Sequence, residues 1–262
     1  MNNDLRVVAE GFRLACAPIW DPPSGRLIFA DLIRSTVYAY DERRGATVFR
    51  LPAQLTAGQV LDPQGRLIRC EQETAQVVRD EDDASVTVLA SHYGGKRLNG
   101  PHDIALGASG VIWFTDHPLV TAEDQELTQP LGLYRLDPST GDLARLYEGG
   151  FTGLALSSDE ATLYANRSGE IMRLDPQGGP SPQPIAVLPQ AGGVFGGIAL
   201  SASGRLYVGT AQGVSILDQS GNPIATIALP EPVTNLTWGN DHQTLYITTF
   251  TAIYAFDVPV AK

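Results

Sequence analysis

Apolar and polar positions alternate along this chain in short runs that end in turns carrying Asp, Ser or Gly. Such alternation predicts half-buried antiparallel strands. One phrase recurs six times: an apolar strand, a polar turn, then a second alternating strand. Its copies read "APIWDPPSGRLIFAD", "GQVLDPQGRLIRCE", "HDIALGASGVIWFTD", "GLALSSDEATLYAN", "GIALSASGRLYVGT" and "NLTWGNDHQTLYITT". The central apolar residues of the second strands are Leu27, Leu67, Ile112, Leu163, Leu206 and Leu245, spaced 39 to 51 residues apart. A third strand follows each copy, as "VYAYD", "LYRLD", "IMRLD", "VSILD" and "IYAFD", with "QVVRD" a weaker version.

A period of 40–50 residues holding three or four strands is that of a propeller blade. The predicted fold is therefore all-β, a six-bladed β-propeller. The last copy ends at "IYAFDVPV" without a fourth strand, and "LRVVAEG" near the start is expected to complete that blade and close the ring. No linker interrupts the series, which predicts one domain over residues 1–262.

The repeat also points to a functional surface. Aligned on the turn after the first strand, six positions fall together: Cys16, Ala57, His102, Thr152, Gly196 and Thr234. Pseudo-sixfold symmetry predicts that they form a ring around one mouth of the central channel.

Composition narrows the partners. The chain of 262 residues carries a net charge of −11 and 43% apolar residues. An acidic surface repels phosphate backbones and anionic lipids, so neither nucleic acid nor a membrane is expected as a partner. No apolar run reaches eighteen residues, and "MNNDLRVVAEGF" lacks the pattern of a secretory signal, so a cytoplasmic location is expected. Two cysteines, Cys16 and Cys70, supply neither a disulfide framework nor a CxxC zinc motif.

The chain resembles the gluconolactonase, or regucalcin-like (senescence marker protein), propellers. "LDPQGRLIRCEQETAQVVR" is similar to that family's "GLTLDPxGRLxxCEHGxRRVxR", and "GKRLNGPHDIALGASGVIWFTD" to its "GKRLNSPNDVxVxSDGSIWFTDPPYG". "AEGFRLACAPIWDPPSGRLIFAD" likewise resembles "AEGLxFxEGPVWDxxxGxLxFxD". The resemblance implies lactone hydrolysis at the channel mouth by a divalent metal held through a Glu, two Asn and an Asp. Those four ligands fall on Cys16, His102, Thr152 and Gly196, and the His of "CEHG" falls on Gln72. All four ligand positions are substituted and both carboxylates are gone, so no calcium, magnesium or other cofactor is expected.

Several chemistries remain open for the ring. Cys16, His102 and His117 offer soft ligands for zinc, one short of the usual four. Cys16 and His102 are close enough in the ring for a thiolate–imidazole pair. His102 can also act as a general acid/base in a metal-free pocket, with Thr152 and Thr234 donating hydrogen bonds. Finally, Cys16 and His102 can simply fill the mouth. The expected catalytic residues are His102, Cys16 and Thr152.

Ala57 and Gly196 leave space for a substrate, which Arg97, Gln72, His117 and Asn166 are placed to contact. Asn166 also shares its strand-end position with Asp31, Glu71 and Asp116, a pattern of turn capping. Residues 118–130 form the longest connection and are expected to overhang the mouth as a lid, while Phe12, Phe151, Phe195 and Phe250 can refill the space. Adjacent strand residues point to opposite faces, so Asp103 is not expected to orient His102. The reading is a small-molecule enzyme, with lactone or ester hydrolysis favoured by resemblance. A metal-independent lyase, isomerase or cyclase, or a ligand-binding pseudoenzyme, are the alternatives.

Overall fold

A computed structural model describes residues 5–119, 127–181, 183–192, 196–239 and 242–258. Six four-stranded antiparallel sheets follow one another, and the only other regular elements described are a two-residue hairpin and one 3-10 turn, Pro189–Ala191. Their innermost strands are Ala15–Asp21, Thr56–Leu61, Pro101–Leu106, Phe151–Leu156, Ile198–Leu200 and Val233–Trp238. Each touches the next around the circle, and Val233–Trp238 returns to Ala15–Asp21. This is the six-bladed propeller that the repeat predicts.

Closure follows the expected route. Leu5–Glu10 pairs antiparallel with Ala252–Asp257 as the outermost strand of the sixth blade, with Leu5 opposite Phe256 and Glu10 opposite Ala252. A closed ring covers the inner strands of every blade with its neighbours, while outer strands such as Gly45–Arg50 and Pro223–Ala228 stay exposed. No helix among the described residues is long and apolar enough to cross a membrane.

The core is divided into six clusters, each lying between two neighbouring blades. Strand alternation produces this division: Leu27 and Phe29 face the sixth blade with Tyr246 and Ile253, while Ile28 and Ala30 face the second with Ala57 and Leu67. The same split recurs at Ile112 and Phe114 against the second blade, with Trp113 against the fourth. A second strand is therefore apolar on both faces, which is why the repeat shows nearly continuous apolar runs there.

The ends of these second strands carry buried polar residues: Asp31, Glu71, Asp116, Asn166, Thr210 and Thr249. Asp31 accepts the amides of Arg13, Leu14 and Arg34 at 3.0 to 3.3 Å. Asp116 accepts those of Asn99 and Gly100 at 2.7 to 3.0 Å. Each thereby pins the loop that leads into its blade's innermost strand, and so fixes where the ring residues begin.

Candidate functional site at the channel mouth

Four of the six innermost strands are bulged at the predicted ring position, and the first is bulged just beyond it, after Cys16. Thr56 faces Glu71 and Gly58 faces Cys70, so Ala57 is the unpaired extra residue; Thr152 and Thr234 are extra in the same way. Register also shifts between Cys16 and Ile19 and between Pro101 and Ile104. A bulge bends the strand and re-aims a side chain, and here it does so at every blade but the fifth, where Gly196 lies just ahead of the strand.

The ring side chains divide into engaged and unengaged groups. The Thr234 hydroxyl is consumed by the Ala15 carbonyl at 2.5 Å and by Thr248. Cys16 donates its thiol to the Thr56 carbonyl at 3.6 Å. Burial, then the nearby charges of Asp31 and Asp103, push that thiol far above the ordinary range. It is held protonated, the opposite of what a thiolate nucleophile needs.

His102 has a defined proton. Its Nδ1 lies 2.8 Å from the Thr152 carbonyl oxygen, which can only accept. Nδ1 therefore carries the hydrogen and Nε2 the lone pair. Burial, and secondarily the proximity of His117, lower its pKa from 6.5 to about 4, so the ring is neutral at neutral pH. The His117 ring stands edge-on at 6.2 Å between centroids. The Thr152 hydroxyl and the His117 Nδ1 are buried without a hydrogen-bond partner.

Gln72 clamps the loops above His102. Its Nε2 donates to the carbonyls of Gly100, Pro101 and His117, and its Oε1 accepts the amide of Leu119. Leu119 in turn packs against the cluster containing Cys16 and Ala57, so the blade-three connection starts across the mouth. Residues 120–126 of the expected lid, and Phe195, lie outside the described residues. Phe12 and Phe151 are packed between blades and do not refill the mouth. Arg97 sits on a two-stranded hairpin, His92–Tyr93 with Lys96–Arg97, and donates to the Glu73 carbonyl at 3.3 Å.

Asn166 and Gly196 explain each other. Gly196 has φ +109°, and a Cβ there would fall 1.7 Å from Asn166 Nδ2 and 2.7 Å from the Ala191 carbonyl. Asn166, wholly buried, donates to Ala191 and Gly196 and accepts the amide of Gly169. The space in which the resemblance places a ligating Asp is thus filled by an amide that is already spent within the fold. The ring offers one imidazole, one protonated thiol and no carboxylate, a donor set that does not fit a hard dication. Among the described residues no group of three or more His, Cys, Asp or Glu side chains is placed to hold a metal.

One position further along the innermost strands lie Ala17, Gly58, Asp103, Gly153, Gly197 and Asn235. Asp103, inside the irregular stretch between Pro101 and Ile104, lines a channel cavity together with Gln59 and Asn235. It accepts the amides of Ile104 and Leu154 at 3.0 and 2.9 Å. The glycines are needed for closeness: a Cβ on Gly58 would meet the His102 carbonyl at 2.4 Å, and one on Gly153 the Gly196 carbonyl at 1.8 Å. Sequence reasoning missed this second ring. Its signal was a column of small residues broken only by Asp and Asn.

Bulged strand ends arranged around one end of the channel of a six-bladed propeller define the class by architecture. The family model described as SMP-30/Gluconolactonase/LRE-like region matches residues 14–251, and the chain belongs to that family. A curated gluconolactonase of Zymomonas mobilis is 26% identical, over 94% of this chain and 79% of its own length. The structure of a Xanthomonas campestris gluconolactonase superposes with a TM-score of 0.89 at 27% identity, covering 97% of this chain and 89% of that one. Regucalcin from Agrobacterium tumefaciens, a calcium-binding protein, shares the fold alone: TM-score 0.77, 16% identity, 97% and 95% coverage.

Proposed function

We propose that this protein is a lactone or ester hydrolase of small molecules, acting in the channel-mouth pocket without the divalent metal that the resemblance implies. The observation that carries the reading is the His102–Thr152 hydrogen bond, which fixes a neutral imidazole with its Nε2 lone pair available. In this reading Nε2 takes the proton of an attacking water, and the unpartnered Thr152 hydroxyl donates to the developing oxyanion. So weak a base suits a carbonyl that is already reactive, as in a strained lactone or an aryl ester. Cys16 shapes the pocket as a thiol and takes no covalent part. A soluble small-molecule substrate and a cytoplasmic location belong to the same proposal.

The test is hydrolysis of a panel of γ- and δ-lactones and aryl esters, with and without EDTA, alongside metal analysis of the purified protein. Expected are chelator-resistant turnover, a rate that stays flat from pH 8 down to about 5, and a loss of about 100-fold or more in kcat for His102→Gln. Stoichiometric divalent metal with EDTA-sensitive turnover would overturn the reading, as would full activity in His102→Gln.

A further inference from the structure

Beyond the ring, the innermost strands of all six blades enclose a cavity of about 140 Å³. Ala17, Pro18, Ile19, Ile104, Leu154, Ile198 and Leu236 supply its apolar wall, and Gln59, Asp103, Asn235 and Thr237 its polar groups. No cationic side chain lines it.

Gln59 is 4% exposed, and its Nε2 donates to the Ala17 carbonyl at 2.8 Å. Its Oε1 is buried without a donor. Turning the amide over would set that oxygen against the Ala17 carbonyl, so the orientation is fixed by chemistry. Leaving an acceptor of this kind unpaired costs about 1–3 kcal/mol, so in the folded protein it is met by a donor, a water or a cation.

The second acceptor is Asp103, 7% exposed, whose carboxylate is hydrogen-bonded by Ile104, Leu154 and the Asn235 side chain. These neutral donors do not cancel its charge. The titratable groups around it are His102 beside it in sequence, the Cys16 thiol from the first blade and the Cys70 thiol, which lies 4.0 Å from the Asp103 carbonyl. Burial keeps both thiols protonated and the imidazole neutral. Asp103 is therefore the one formal charge facing the cavity among the described residues.

We propose that this cavity is a monovalent cation site, in which Asp103 and the Gln59 carbonyl hold a partly hydrated sodium or potassium ion. Charge decides the class: one carboxylate is neutralised by one positive charge, whereas a divalent ion would leave a net charge buried in the channel. The volume is several times that of a bare ion, and accommodates it with waters. A proton is the competing occupant, because burial raises the Asp103 pKa from 3.8 to about 7. The sign follows. The folded state binds this proton more tightly than the unfolded chain, so without a cation stability falls as pH rises from the ordinary carboxylate range through about 7. The cation relieves that loss, and its effect grows with pH.

The experiment is thermal unfolding of the intact protein in NaCl, KCl or choline chloride at equal ionic strength, at pH 5.5 and pH 8.5. Sodium or potassium is expected to raise Tm over choline by about 3 °C or more at pH 8.5, and by much less at pH 5.5. Asp103→Asn should abolish the difference. Gln59→Met, which leaves the carboxylate in place, should weaken the half-maximal salt concentration several-fold, and keeps the test open if Asp103→Asn fails to fold. Equal Tm in all three salts overturns the site. So does a shift that persists in Asp103→Asn. Calcium acting at micromolar concentration in place of the monovalent ions overturns the assignment of charge. Loss of hydrolysis on His102→Gln bears on the mouth alone, so the two proposals fail separately.

Discussion

The mouth ring and the belt of strand-end clamps are both polar, both repeated around the propeller, and only a few ångströms of chain apart, yet they are satisfied to different degrees. In the belt, Asp31, Asp116 and Asn166 each spend their acceptors on loop amides. In the ring, the Thr152 hydroxyl and the neighbouring His117 Nδ1 have no partner, and His102 uses only one nitrogen. A buried polar group that is fully bonded holds the fold; one left unbonded calls for a further partner, which in the proposed function is the substrate. Exposure does not separate the two sets, since Thr152 at 4% and Asp116 at 0% are both buried.

The two regions meet at Asn166 and Gly196, which makes that contact the sharpest place to break the comparison. Restoring an acidic ligand by Gly196→Asp forces a side chain onto a backbone with φ +109° and into the Asn166 amide. Strain and overpacking together should destabilise the fold by more than about 3 kcal/mol, read by urea denaturation, and should not create a calcium site. An unchanged midpoint, or calcium binding by the variant, would show that the space is open and that the clamp does not own it.

A smaller effect tests the belt on its own. Asp31→Ala removes the acceptor of the Arg13, Leu14 and Arg34 amides, and the orphaned amides should cost about 2 kcal/mol. Activity per folded molecule should stay within about twofold, because the loss falls on a loop anchor. A stable protein with depressed kcat would instead place Asp31 with the ring.

The fold was legible because blades repeat: strand alternation and a 39–51-residue period are readable without knowing any contact. The ring was legible for the same reason, as one column of the repeat. What the column could not show was the bulge. It interrupts the ladder at His102, where the next residue, Asp103, lines a cavity with Gln59 and Asn235 while His102 bonds Thr152. Nor could it show that Asn166 occupies the space beside Gly196, since that contact joins residues 30 apart through a loop. Hydrogen-bond satisfaction is a property of three-dimensional neighbours, and the choice between clamp and catalytic group rests on it.

The smallest expected effect is at Cys16, and it discriminates because it is small. Its thiol is protonated and donates to the Thr56 carbonyl, and burial and the neighbouring carboxyls of Asp31 and Asp103 all push its pKa up. A hydroxyl can make the same hydrogen bond from the same position. Cys16→Ser should therefore keep kcat/KM within about twofold and stability within about 1 kcal/mol, the shorter side chain losing some packing against Ala30 and Ala57. Iodoacetamide should leave the native protein unlabelled at pH 8, where a thiolate paired with His102 would react within minutes. A large loss of kcat with unchanged folding would move Cys16 from the wall of the pocket to its chemistry. It would also mean that burial beside two carboxylates does not hold the thiol neutral, and the same doubt would then extend to the neutral His102.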